Sequence, residues 1–186
     1  IHYQINYSNF DSSSFMIQAL SAAGDKLELS GIKSLNGNYH ISKLTGFLKN
    51  SALYVHPFYI NKRENYLHIP KATIQLDASE LHLSLNYTNI NHYNLNAIIS
   101  NMDLSYLYTI RGKSLRINGI INNADIKIEK NDKHLNSYPI IFANVLLEEG
   151  EIDDIQYNNL SLSISYRNRR FLINDIQLYS ELGNIK

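Results

Sequence analysis

Leu81, Leu83, Leu85 and Tyr87 alternate strictly with His82, Ser84 and Asn86. Successive side chains of an extended strand leave on opposite faces. A helix instead needs apolar residues three and four positions apart. This run is therefore read as a strand with one oily face and one polar face. The same period recurs along the chain. Tyr3, Ile5 and Tyr7 alternate with His2, Gln4 and Asn6; Leu27 and Leu29 flank Glu28; Ile74 and Leu76 flank Gln75. Tyr93, Leu95, Ala97 and Ile99 follow, then Leu115 with Ile117, Ile126 with Ile128, and Leu160, Leu162 and Ile164 against Ser161, Ser163 and Ser165. Ile173, Ile176 and Leu178 slip out of phase, and a bulge or turn at Asn174-Asp175 explains the slip.

Short polar clusters separate these runs: Ala23-Gly24-Asp25, Leu35-Asn36-Gly37-Asn38, Asn61-Lys62-Arg63-Glu64-Asn65, Asn89-Ile90-Asn91, Ile121-Asn122-Asn123, Lys130-Asn131-Asp132-Lys133, Glu149-Gly150 and Arg167-Asn168-Arg169-Arg170. Asn, Asp and Gly tolerate the backbone conformations of tight turns. Short spacing between runs predicts an antiparallel meander. Pro57, Pro70 and Pro139 fall where strands begin or edges lie. One stretch breaks the rhythm. From Asn101 to Ile110, the apolar residues Leu104, Leu107 and Tyr108 have helical spacing, with Asn101 or Asp103 as a cap and Arg111-Gly112 as a stop. It is expected to be a short helix over the sheet or at its end. Ser13 to Ala22 is read as a strand. No linker or composition shift divides the chain, so residues 1–186 are expected to form one segment of an extended, repetitive β-sheet.

Composition narrows the function classes. The 17 basic and 17 acidic residues balance to a net charge of +0 and are spread along the chain. A nucleic-acid binder carries a basic patch or stripe, so nucleic acid is not an expected partner. Charged residues make up 18%, below the roughly 25% of soluble domains. Cysteine is absent, which excludes a disulfide framework, a Cys-ligated zinc site and a thiol nucleophile. No apolar run approaches the ~20 residues of a membrane-spanning helix, and nothing resembles a signal peptide. The chain starts at Ile1 and stops at Gly183-Asn184-Ile185-Lys186, just after a strand-like run. It reads as an excised piece whose targeting or anchoring segment lies elsewhere.

Candidate chemistry is thin. Of the seven histidines, His2, His40, His56, His68, His82, His92 and His134, none forms the helical pair of a zinc protease. His40, His68 and His82 sit on the polar phase of expected strands and read as solvated. Glu148-Glu149-Gly150-Glu151-Ile152-Asp153-Asp154 offers the carboxylates that a hard cation favours, but its spacing is not that of an EF-hand loop. A solvated turn is the expectation there. Arg167, Arg169 and Arg170 form a small basic turn, able to meet an anionic headgroup and otherwise an ordinary hairpin tip. No phosphate loop, nucleophile elbow or kinase signature occurs. No cofactor, metal or catalytic residue is expected, and the chain is not read as an enzyme.

The informative feature is thus the apolar face. It lies along Ile74, Leu76, Leu81, Leu83, Leu85, Tyr87, Leu95, Ile99, Leu115, Ile117, Ile126, Ile128, Leu160, Leu162, Ile164, Ile176 and Leu178. Alternation leaves two outcomes open: a sheet closed into a core, or a face left open as a binding surface. The 14 Tyr suit a boundary between oil and water, since each has an apolar ring and a polar tip.

Several stretches resemble the AsmA/TamB superfamily of bacterial envelope proteins. Asn101-Met102-Asp103-Leu104-Ser105-Tyr106-Leu107 is similar to the family's helical "N-x-D-L-S-x-L" punctuation, and Leu115-Arg116-Ile117-Asn118-Gly119 to its "L-x-L-x-G" strand ending. Tyr157 to Ile164 with Phe171 to Leu178 resembles its paired strands, and Ile32-Lys33-Ser34-Leu35-Asn36-Gly37 onward is most similar to the YhdP branch. The chain departs from the family in using Asn where Gly is usual, with only 8 Gly. The resemblance implies a β-taco-like trough with an apolar concave face, in a periplasmic protein anchored in the inner membrane outside this segment. It implies phospholipid acyl chains as partners, carried in a hydrophobic groove toward the outer membrane. An alternative role is a scaffold that pairs strands with outer-membrane assembly proteins.

Overall fold

The computed structural model describes residues 2–6, 12–20, 26–48, 51–104, 117–131, 138–152, 155–180 and 183–185. Among these the chain is all-β, an antiparallel meander without a helix. It divides into two compact units, Ile1–Leu95 and Asn96–Lys186.

The first unit holds β1 (His2–Asn6), β2 (Ser12–Leu20), β3 (Lys26–Ser34), β4 (Tyr39–Leu48), β5 (Ser51–Val55), β6 (Phe58–Arg63), β7 (Tyr66–Leu76) and β8 (Ser79–Asn89). The strand expected over Ser13–Ala22 is β2. Successive strands pair antiparallel, with one variation: β5 and β6 stand end to end between β4 and β7. The break between them falls at His56-Pro57, since proline has no N–H to give a ladder. The His56 amide is retained by the carbonyl of Thr73, 2.9 Å away. On β7 the register slips between Ile69 and Ala72, so Pro70 occupies a bulge, one of the few places a sheet interior accepts it.

The turns follow the Asn-rich signals. Asn36 and Gly37 join β3 to β4. Gly37 has φ +84°, and the Gly37 amide donates to the carbonyl of Ser34 over 3.0 Å. Turns also form at Glu64-Asn65 and Ile90-Asn91. Asp77 at φ 51° turns β7 into β8, and its carboxylate accepts the Ala52 amide at 3.0 Å.

Strand β9 (His92–Asp103) runs from the first unit into the second. The second unit continues with β10 (Ile117–Asn131), β11 (Ile140–Ile152), β12 (Ile155–Arg167), β13 (Arg170–Ser180) and β14 (Gly183–Ile185), each paired antiparallel with the next. Pro139 sits directly before β11. The hairpin between β12 and β13 turns on Asn168 (φ 51°) and Arg169 (φ 63°). Two left-handed central residues make a turn whose twist matches that of the strands.

Three sequence expectations are corrected here. Ile121-Asn122-Asn123 is not a turn: it lies inside β10, where the register slips between Ile121 and Asn123. Glu149-Gly150 likewise lies inside β11, with Glu149 at φ 46°. The acidic stretch Glu148 to Ile152 is therefore strand, and Asp153-Asp154 lie outside the described residues. Asn101 to Asp103 close β9 as strand instead of capping a helix, and the Leu104 amide donates to the carbonyl of Gly119 over 2.9 Å. The rest of the expected helix, with Leu115, lies outside the described residues, as do the turn at Ala23-Gly24-Asp25 and the pair Asp132-Lys133. The expected slip near Asn174 is present: Ser163 pairs with Asp175 and Ile164 with Ile173, leaving Asn174 as the extra residue. Its side-chain oxygen accepts the Ser165 hydroxyl at 3.2 Å.

The best-buried cluster belongs to the second unit: Ile121, Ala124, Leu147, Tyr157 and Leu160, with Ile99, Met102, Leu104, Val145, Ile152 and Leu178 packed on it. Tyr157 and Ala124 are each 2% exposed. No described side chain falls below that, so these units are weakly buried for chains of their size.

Candidate functional site: the apolar face of the sheet

Directly opposed residues of an antiparallel ladder share a face, so the register assigns each side chain a side. In the first unit one row crosses six strands as Ile17, Leu29, Leu44, Val55, Ile74 and Leu81. Its neighbour along the strands is Gln18, Glu28, Thr45, Tyr54, Gln75 and Glu80. The first row is wholly apolar and the second is polar throughout, apart from the tyrosine ring. Period-two alternation in each strand has thus been brought into phase across the unit.

The second unit repeats the arrangement. Four strands, β10 to β13, place four apolar rows on one face: Ile121-Leu147-Leu160-Leu178, Ala124-Val145-Leu162-Ile176, Ile126-Ala143-Ile164-Ile173 and Ile128-Ile141-Tyr166-Phe171. At strand and residue spacings of ~4.8 Å and ~6.8 Å, such a lattice covers about 500 Å². That is the area of the whole lattice, buried members included, and lies within the roughly 300–600 Å² of the largest apolar patches on monomers, which are often functional. Bulges at Asn122 and Asn174 reset the phase where the sequence slips, and so keep the rows intact.

The face is buried in part: Ile121, Ala124, Ala143, Leu147 and Leu160 are covered. Leu162, Ile164, Val145 and Ile141 are half-buried. Ile173 is 68% and Phe171 77% exposed. A partner sheet packed face to face would bury such rows outright. Within each unit the described strands pack on their ladder neighbours.

The expected face residues fall into place as follows. Ile74 opposes Leu81, Leu76 opposes Ser79, Leu83 opposes Ala72, Leu85 opposes Ile69 and Tyr87 opposes Leu67, all on the apolar face of the first unit. Leu95 shares its side of β9 with Tyr93, whose ring stacks on Tyr87 with centroids 6.4 Å apart. Ile99 packs on the buried cluster of the second unit. Ile126, Ile128, Leu160, Leu162, Ile164, Ile176 and Leu178 all lie in the four rows above. Ile117 opposes Ile152 on the backbone register. Leu115 lies outside the described residues.

Sequence reasoning missed Leu44, Val55, Ala72, Ala143, Val145, Leu147 and Ile173. Strand β11 reads Ile140-Ile141-Phe142-Ala143-Asn144-Val145-Leu146-Leu147, a nearly unbroken apolar run in which no phase is visible. It also missed Tyr157, which carries no alternation signal. Its signal is the pair Gly119 and Gly150, since a β-carbon on Gly150 would lie 2.3 Å from the Tyr157 hydroxyl and 2.2 Å from the Asn118 carbonyl. Burial pushes the Tyr157 phenol pKa up, so it stays a protonated donor.

The opposite face is wet. Lys43 donates to Glu28 over 2.7 Å, and this holds the Glu28 carboxyl below its usual pKa, first through the hydrogen bond and then through the lysine charge. His68 meets the side-chain oxygen of Asn86 at 2.5 Å and His82 meets the Thr73 hydroxyl at 2.9 Å. His40 stacks on Tyr59 at 4.5 Å. These histidines lie on the polar side, as their phase in the sequence implied. Among the described residues no group of three His, Cys, Asp or Glu is arranged to hold a metal ion. No described helix is long and apolar enough to cross a membrane. Compared with known proteins, the chain matches no family model, no curated sequence and no solved structure.

Proposed function

We propose that this chain is a non-enzymatic carrier of phospholipid acyl chains, one stretch of a bridge-like periplasmic trough that moves lipid between the inner and outer membranes. The observation carrying this reading is the four-by-four apolar lattice of the second unit, which is continuous, buried at Ile121, Ala124, Ala143, Leu147 and Leu160, and increasingly exposed toward Phe171 and Ile173. Each methylene transferred from water to such a surface gains about 0.8 kcal/mol. Rows of similar aliphatic side chains bind an acyl chain nearly equally at every step, so no position traps it. The wet opposite face supports a protein that meets water on its outside. The resemblance of Asn101 to Leu107, Leu115 to Gly119 and the Tyr157–Leu178 region to the AsmA/TamB superfamily points the same way, and with it an inner-membrane anchor outside this segment.

Native mass spectrometry of the purified chain, with lipid extraction alongside, tests this. Co-purified phospholipid is expected, and it should be absent from Leu162→Asp. A lipid-free wild type that stays lipid-free when phospholipid is supplied would overturn the reading.

A further inference from the structure

The apolar lattice ends at the hairpin between β12 and β13, and its last row does not fade into neutral polar residues. Tyr166 and Phe171 close that row in contact, ring centroids 4.7 Å apart. One residue beyond them, Arg167 and Arg170 stand directly opposite each other. Like charges in that position repel and destabilise a ladder. Between them Arg169 occupies a left-handed conformation, φ 63°, which a long side chain adopts at a cost. Its guanidinium lies 4.3 Å from the ring centre of Tyr138 and donates to the Tyr138 hydroxyl. Among the described residues no carboxylate lies within ion-pair range of Arg167, Arg169 or Arg170. Glu129, at the same end of β10, is bound to Lys127 at 2.6 Å.

Repulsion and backbone strain are thus concentrated at one turn, beside the most exposed apolar residue of the lattice, and among the described residues only the Tyr138 ring, under Arg169, offsets any of the charge. An anion would. We propose that the β12–β13 hairpin is a headgroup site: it takes the anionic phosphate end of a lipid whose acyl chain lies on the adjoining rows. This rests on the acyl-chain reading above and adds selectivity to it. Arginine suits the task, because its planar fork binds phosphate oxygens in pairs and is more weakly hydrated than an ammonium. Arg167 and Arg170 leave on the polar side of the hairpin, so the headgroup sits at the rim, in water, where the apolar face stops. The chain and head of the ligand are then both matched without burying a charge.

The probes are dodecyl phosphate and dodecyl maltoside, which share a chain and differ in head charge. Both are titrated into the full chain below their micelle concentrations and followed by calorimetry. Wild type should bind the phosphate roughly tenfold more tightly than the maltoside. The triple variant Arg167→Gln, Arg169→Gln, Arg170→Gln should bind both equally, at the wild-type maltoside affinity, and that affinity itself reports an intact fold. Raising salt to about 1 M should erase the preference in wild type without any mutation. Equal binding of the two probes by wild type, or a preference that survives the triple substitution, overturns the headgroup site and leaves the acyl-chain reading standing. Failure of wild type to bind either probe overturns the acyl-chain reading and the headgroup site together.

Discussion

The Tyr157 hydroxyl donates to the carbonyl oxygen of Asn118 over 2.8 Å, spanning from β12 across β11 to β10. Two glycines let the ring pass: Gly150 directly opposite Tyr157, and Gly119 at φ +141°, which faces the bulged pair Glu149-Gly150 of β11. The tyrosine therefore clamps three strands at the end of the apolar lattice where the buried cluster lies. Removing only the hydroxyl, in Tyr157→Phe, leaves a part-buried carbonyl without its donor and should cost about 1–2 kcal/mol in urea unfolding. Gly150→Ala forces a methyl group against the Tyr157 ring and the Asn118 carbonyl and should cost about 1–3 kcal/mol. If Gly150→Ala proved neutral, the ring would not be seated as described.

How much of this was legible in the sequence depends on strand chemistry. Where one residue in two is a Leu or Ile and the other is Ser, Asn or His, as in β8 and β12, the face could be read directly. Strand β11 hides its phase because both faces carry apolar residues, and only register against β12 separates Val145 from Leu146. The turn signal at Ile121-Asn122-Asn123 was real but local: Asn tolerates a bulge as well as a turn, and the long ladder from Ile117 to Asn131 selects the bulge. Glu149-Gly150 misled in the same way. Its glycine makes room for an aromatic ring from the next strand and does not reverse the chain. Tyr157 itself was invisible, because the partners that define it are remote in sequence.

Glu149 offers a test of that strand assignment. A side-chain-bearing residue at φ 46° is disfavoured by about 1 kcal/mol, a penalty glycine escapes. Glu149→Gly should therefore raise the unfolding free energy slightly, by up to about 0.6 kcal/mol once the roughly 0.4–1 kcal/mol entropy of the freer unfolded chain is counted. Glu149→Val, branched at Cβ, should lower it. The reverse order in thermal melts would mean that the backbone here is extended.

The Glu28–Lys43 pair predicts a direction in pH. The carboxyl is held below the ordinary value of 4.5 in the folded chain by Lys43. A depressed folded pKa contributes stability that is complete above the unfolded pKa and is lost as pH falls through the folded one. Lys43→Met should therefore be less stable than wild type at neutral pH, and the gap should close as acidification protonates the Glu28 carboxyl, below its ordinary range. The pair lies partly in water, so the gap is small. A gap that widened on acidification would contradict the assignment.

Adjacent residues on β8 separate an open face from a closed core. Leu83 opposes Ala72 on the apolar side and His82 opposes Thr73 on the wet side. An aspartate buried in a closed core is left without partners and belongs to the severe class, beyond about 4 kcal/mol. On a half-exposed lattice the same carboxylate keeps much of its water, so Leu83→Asp should cost only about 1–2 kcal/mol and leave the strand signature in far-ultraviolet circular dichroism intact. It should nonetheless abolish retention of phospholipid, because a charge in the row interrupts the path of an acyl chain. His82→Asp, one residue away and on the other face, should retain lipid at the wild-type level. Loss of lipid in both variants would point to a general weakening of the sheet, and unfolding by Leu83→Asp alone would mean that this face is sealed.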